Sequence, residues 1–144
     1  MSRILLALAV LTTAIVGCGG DDDDSGLYAV KGKLIGKDGK PIANVRVTLY
    51  PVKGGERPSS TGVANRDGEF TLKTARQKDG AVAGQHKVVL SVDMSAASYA
   101  KATKIGYEPN KDTKLFPKEY SDQKTTPKTF EVKDNDDNNL VIKL

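Results

Sequence analysis

The chain has one thiol, Cys18, and one imidazole, His86, so nucleophilic and general-base chemistry have few places to reside. A thiolate is a strong nucleophile, and a thioether built on it is permanent. Cys18 directly follows Gly17, a small residue that closes the apolar run Ile4 to Val16 behind Met1-Ser2-Arg3. A positive start and an apolar run shorter than the ~20 residues of a bilayer span read as an export signal peptide, residues 1–17. His86 lacks the company that a catalytic triad or a zinc site needs, with no second histidine and no HExxH motif in the chain. Its spacing from Val88 and Leu90 puts the ring on the apolar side of a strand. Neither a catalytic residue nor a metal ligand set is expected.

Charged residues offer two further candidates. Asp21 to Asp24 form an unbroken acidic run flanked by Gly19-Gly20 and Ser25-Gly26. Like charges side by side repel and stay hydrated, so residues 18–26 are expected to be a flexible tether. A calcium site instead spaces its oxygen ligands around a glycine bend. The run Asp134-Asn135-Asp136-Asp137-Asn138-Asn139 has Asn139 where an EF-hand loop requires glycine, and a tight hairpin turn is the expectation. Lys101, Lys104, Lys111, Lys114, Lys118, Lys124 and Lys128 interleave with Tyr99, Tyr107, Phe116 and Tyr120. Charge and ring stacking there suit an anionic glycan or polymer, with Tyr99, Lys101, Lys104, Tyr107, Lys114 and Tyr120 as candidate binding residues. The alternative is a solvated loop whose tyrosines pin it to the body. The net charge of +4 is dispersed and gives no argument for nucleic acid.

These residues must be held by strands. From Leu27 onward apolar and polar residues alternate, with turn residues between the runs. Tyr28, Val30, Gly32 and Leu34 share one face, and Lys31 and Lys33 the other. A turn over 36–41 has Gly39 suited to positive φ. Val45, Val47 and Leu49 face inward on the next strand. Thr61 to Asn65 and Phe70 to Leu72 flank an expected hairpin turn at Arg66-Asp67-Gly68-Glu69. Gly80 to Gln85 reads as a loop, and His86, Val88, Leu90 and Val92 share the face of a long strand. Pro117 suits the start of a helical turn. Phe130 and Val132, then Leu140, Ile142 and Leu144, supply the last strands. The sum is an all-β, seven-stranded sandwich over 27–144, its sheets about 10 Å apart. A Lys–Asn isopeptide cross-link needs a buried lysine facing an asparagine with an acid nearby; strand order allows Lys31 or Lys33 with Asn139, but both lysines have outward parity, which disfavours it.

Ile15-Val16-Gly17-Cys18 resembles the bacterial lipobox. The resemblance implies cleavage between Gly17 and Cys18, a diacylglyceryl group on the thiol and acylation of the new amine. The only covalent addition implied is lipid, and no other cofactor is. Gly19, rather than aspartate, after the cysteine implies the outer membrane in a cell with two. A thiol held by lipid leaves no internal disulfide.

The stretch Val30 to Leu34 with Asp38-Gly39-Lys40-Pro41-Ile42-Ala43-Asn44-Val45-Arg46-Val47 resembles the opening of carboxypeptidase regulatory-like domains. Thr61 to Leu72, Gly84-Gln85-His86-Lys87-Val88-Val89-Leu90 and Pro117-x-x-Tyr120 are similar to later parts of the same domains. The resemblance spans 27–144 apart from 94–115 and implies a transthyretin-like (prealbumin-like) sandwich. Transthyretin-like hydrolases of 5-hydroxyisourate use more than one histidine and a Tyr-Arg-Gly-Ser tail, which this chain lacks. The expectation is a monomeric, non-enzymatic lipoprotein of the bacterial cell envelope, anchored by lipid and presenting a binding module to an envelope protein or polysaccharide. The alternative is an accessory or regulatory subunit of a separately encoded envelope hydrolase or transport system.

Overall fold

The computed structural model describes residues 26–53, 57–74, 78–94, 100, 103–106 and 114–144. Ten strands are described: β1 Leu27–Tyr28, β2 Val30–Ile35, β3 Val45–Pro51, β4 Ser60–Val63, β5 Glu69–Thr71, β6 Lys73–Thr74, β7 Ala81–Val82, β8 Gly84–Val92, β9 Thr129–Val132 and β10 Asn138–Lys143. A 3-10 helix covers Lys118–Ser121, behind Pro117 as the sequence suggests. One sheet has the order β10-β2-β5, a second β6-β4-β3-β8-β9, and β1 pairs with β7. The fold is all-β.

Alternation explains how the two larger sheets meet. Val30 and Leu34 on β2, Phe70 on β5 and Leu140 and Ile142 on β10 are buried. So are Val45, Val47 and Leu49 on β3, Val88 and Leu90 on β8 and Val132 on β9, all in the same core cluster. In a strand successive side chains point to opposite faces, so these period-two sets give each sheet one apolar face, and the faces meet across one core. Gly32 keeps the parity of Val30 and Leu34, and the Phe70 ring fills the space its missing side chain leaves.

Three corrections to the sequence reading follow. The strands number ten rather than seven, because β1, β6 and β7 are two residues long and carry no measurable alternation. The expected loop Gly80 to Gln85 contains β7 and the start of β8. The two expected hairpins are corners, since β4 and β5 lie in different sheets, as do β9 and β10. At the first corner the Asn65 side-chain oxygen accepts from the amides of Asp67 (2.9 Å) and Glu69 (3.0 Å). Gly68 supplies φ 73° there, and its carbonyl accepts from Leu34 N–H at 2.8 Å. The turn is as tight as a hairpin, but it hands the chain to the opposite sheet before β6 returns to pair with β4.

The second corner is tied by Asn138, which is buried. Its side-chain oxygen accepts from Lys133 N–H at 2.8 Å. Its amide nitrogen faces the carbonyls of Ala29 (3.2 Å), Lys133 (3.2 Å) and Asn135. An Asn amide has two N–H groups, so these three acceptors share two donors. Asp136 adds a bond from the Ala29 amide at 2.9 Å. The acidic turn is therefore bolted to the start of β2.

Candidate functional site

Cys18 and Gly17, with the acidic tether, lie outside the described residues, as do Tyr99, Lys101 and Tyr107 of the expected binding loop. Lys104 and Lys114 are exposed, and Tyr120 is partly buried and packed against the core. Tyr120 thus acts as a pin. Around it the segment is stitched to β8: the Thr126 hydroxyl donates to the Val88 carbonyl at 2.6 Å, and Val88 N–H donates to the Lys128 carbonyl at 3.0 Å. These bonds take up the edge of β8 where its pairing with β9 has ended at Lys87.

Lys114 has company that the sequence does not announce. Phe116 is buried in the core and draws its neighbours against the turn between β2 and β3. A groove of about 620 Å³ results, with Lys37, Lys40 and Lys114 on its rim and Pro41, Ile42 and Leu115 among its apolar lining. Asp38 is the acidic group in the lining, and its carboxylate lies 4.0 Å from the Lys40 ammonium. Leu115 is 46% exposed. Three ammonium groups around a partly apolar trough attract an anion whose flank is apolar, and because the lysines are exposed this attraction weakens as salt rises. Lys104 does not line this groove. Lys37 and Lys40 escaped the sequence reading because only the fold returns Lys114 to their turn.

A second trough, about 570 Å³, runs over the solvent face of the β10-β2-β5 sheet. Asn139 and Lys31 are register partners there. Both side chains are exposed, as parity predicts, and Lys33 faces Glu69 at 3.8 Å. An isopeptide bond needs a lysine buried beside its asparagine, and with Lys31, Lys33 and Asn139 exposed these surroundings do not favour one.

His86 is buried on β8 with the parity expected. Its Nδ1 lies 2.9 Å from the Gly84 carbonyl. That contact requires the proton on Nδ1, which leaves Nε2 as an acceptor, and Nε2 is buried without a partner. Burial lowers the pKa of the ring, the Gly84 bond opposes this, and the charge of Arg57 lowers it further. A depressed histidine binds its proton more readily in the unfolded chain. Stability is then full above the ordinary value of about 6.5, falls as pH drops below it, and levels off below the folded pKa. Urea unfolding at stepped pH is expected to show this loss setting in as pH falls below about 6.5. His86→Phe is expected to flatten the profile in that window, and an unchanged slope would assign it to other groups.

Comparison with known proteins returns no match: no family model fits the chain, and no curated protein and no solved structure is significantly similar to it.

Proposed function

We propose that this chain is a non-enzymatic lipoprotein of the bacterial cell envelope, held by lipid on Cys18 and presenting a β-sandwich as a binding module. The observation that carries this reading is the placement of the one cysteine directly behind Gly17 at the end of an export-type apolar run. Two or more acyl chains on that residue hold a protein at a membrane, whereas one binds only marginally. The all-β body with its three-stranded and five-stranded sheets agrees with a transthyretin-like domain similar to carboxypeptidase regulatory-like modules. The groove bearing Lys37, Lys40 and Lys114 is the favoured binding surface, and an anionic envelope polymer with apolar flanks is the favoured ligand class.

Mass spectrometry of the mature N-terminus tests the anchor. The expected result is cleavage before Cys18 and an added mass of acyl chains, with Cys18→Ser moving the protein from the membrane to the soluble fraction. A water-soluble, unmodified native protein would end the proposal. For the groove, replacing Lys37, Lys40 and Lys114 together by glutamine is expected to weaken retention on an anionic envelope polymer about tenfold at low salt. Unchanged retention would remove the groove from the account while leaving the anchor standing.

A further inference from the structure

The outer edge of β10 carries a row of backbone groups whose arrangement is self-complementary. Leu144 N–H donates to the Ile35 carbonyl, while Leu72 N–H donates to Val30 and Leu34 N–H to Gly68. In a parallel ladder alternate residues point both backbone groups to the same side. Leu140 and Ile142 therefore bond β2, and the N–H and C=O of Asn139, Val141 and Lys143 point away from the sheet. No described residue pairs with that side of β10, which ends its sheet. Edge strands are usually protected by proline, a bulge, inward charge or lysine, and over its six residues β10 has only Lys143, at its end. At its centre Val141 is 47% exposed, an apolar side chain on a solvent face.

We infer that this edge pairs with β10 of a second copy, antiparallel about a two-fold axis through Val141, making one six-stranded sheet from two three-stranded ones. The choice of a second copy follows from what the register brings together. With Val141 opposite its own mate, Asn139 faces Lys143 of the other copy and Lys143 faces its Asn139. All three outward residues then form hydrogen-bonded pairs, which exchange both backbone bonds. No like charges are opposed, and the two Lys143 residues lie about 13 Å apart, four residues at about 3.3 Å each. Sliding by one pair in either direction loses at least one of the three pairings within β10. Leu140 and Ile142 are already buried within one copy, so the contact rests on the backbone pairs and on the outward residues Asn139, Val141 and Lys143. A closed, isologous contact of this kind stops at two copies. The inference revises the monomer expected from the sequence, and it rests on the sheet edge and not on the lipid anchor.

The test uses the full chain in detergent, followed by sedimentation across a dilution series and by oxidative cross-linking. Val141→Lys places two ammonium groups face to face on a solvent-exposed position, and circular dichroism checks that the fold is kept. The expected result is a concentration-dependent dimer for the parent chain, with dissociation at least about tenfold easier in Val141→Lys. Val141→Cys is expected to form a disulfide dimer, because hydrogen-bonded partners sit about 5.5 Å apart at Cα, within disulfide range. Val63→Cys, on β4, controls for random collision, and the parent chain reports any contribution from Cys18. A parent chain that sediments as a monomer at about 0.2 mM overturns the inference, since so weak a contact is not a specific dimer. Equal cross-linking at 141 and 63, or a dimer indifferent to Val141→Lys, overturns it as well.

Discussion

Asn138→Ala is expected to lower the stability of the fold by about 3 kcal/mol in urea unfolding. The side chain is buried and ties Lys133 N–H to the carbonyls of Ala29, Lys133 and Asn135. A net hydrogen bond is worth about 1 kcal/mol, and a buried group left without its partner costs about 1–3 kcal/mol. Alanine removes every one of these bonds and leaves a void too polar to collapse. Asn138→Asp separates shape from hydrogen bonding. It keeps an acceptor for Lys133 N–H but turns a carboxylate oxygen toward carbonyls, so it is expected to be as harmful as alanine at neutral pH and milder in acid, where a protonated carboxyl regains one donor. A loss under about 1 kcal/mol for Asn138→Ala would mean that water replaces the amide.

Gly32→Ala is the second large effect expected, a loss of about 3 kcal/mol or more. A Cβ at this position would lie 2.5 Å from the Leu140 carbonyl oxygen and within 2.3 Å of the Phe70 ring edge. The ring can turn, but the carbonyl belongs to the β2–β10 ladder and cannot yield without opening it. The double variant with Phe70→Leu tests this division. It is expected to recover only the part of the loss due to the ring, read as a positive coupling in a double-mutant cycle. Full recovery would show that the ladder shifts easily, and no recovery would put the whole cost on the backbone.

The residues with strict alternation were legible in the sequence as to face. Val45, Val47 and Leu49 are buried as read, and so are His86, Val88 and Leu90. Alternation says which side of a strand is apolar, but it does not say which strand lies alongside. That is why Phe70 faces inward as its parity predicts, yet pairs with β2 and not with the β4 strand that the expected hairpin would give it. The Asx bonds of Asn65 span two and four residues and belong to turn chemistry visible in a sequence. The bond from Asn138 to Ala29 spans 109 residues and has no local signature. The candidate groove divides in the same way. Lys114 was picked out by composition, whereas its meeting with Lys37 and Lys40 depends on Phe116 being drawn into the core. Two-residue strands such as β7 lie below the length at which any period can be seen.

The parallel pairing of β2 with β10 has a mechanical consequence. Val30 lies beside Asn138 and Ile35 beside Lys143, so the chain reaches β2 at one end of the molecule and leaves β10 at the other. Tension applied through the residues before β2 and after β10 pulls the two strands past each other lengthwise. All rungs of the ladder then bear the force together, instead of parting one at a time as in an unzipped hairpin. Under single-molecule stretching the body is expected to yield in one abrupt event, with Gly32→Ala lowering the rupture force by weakening the clamp at its middle.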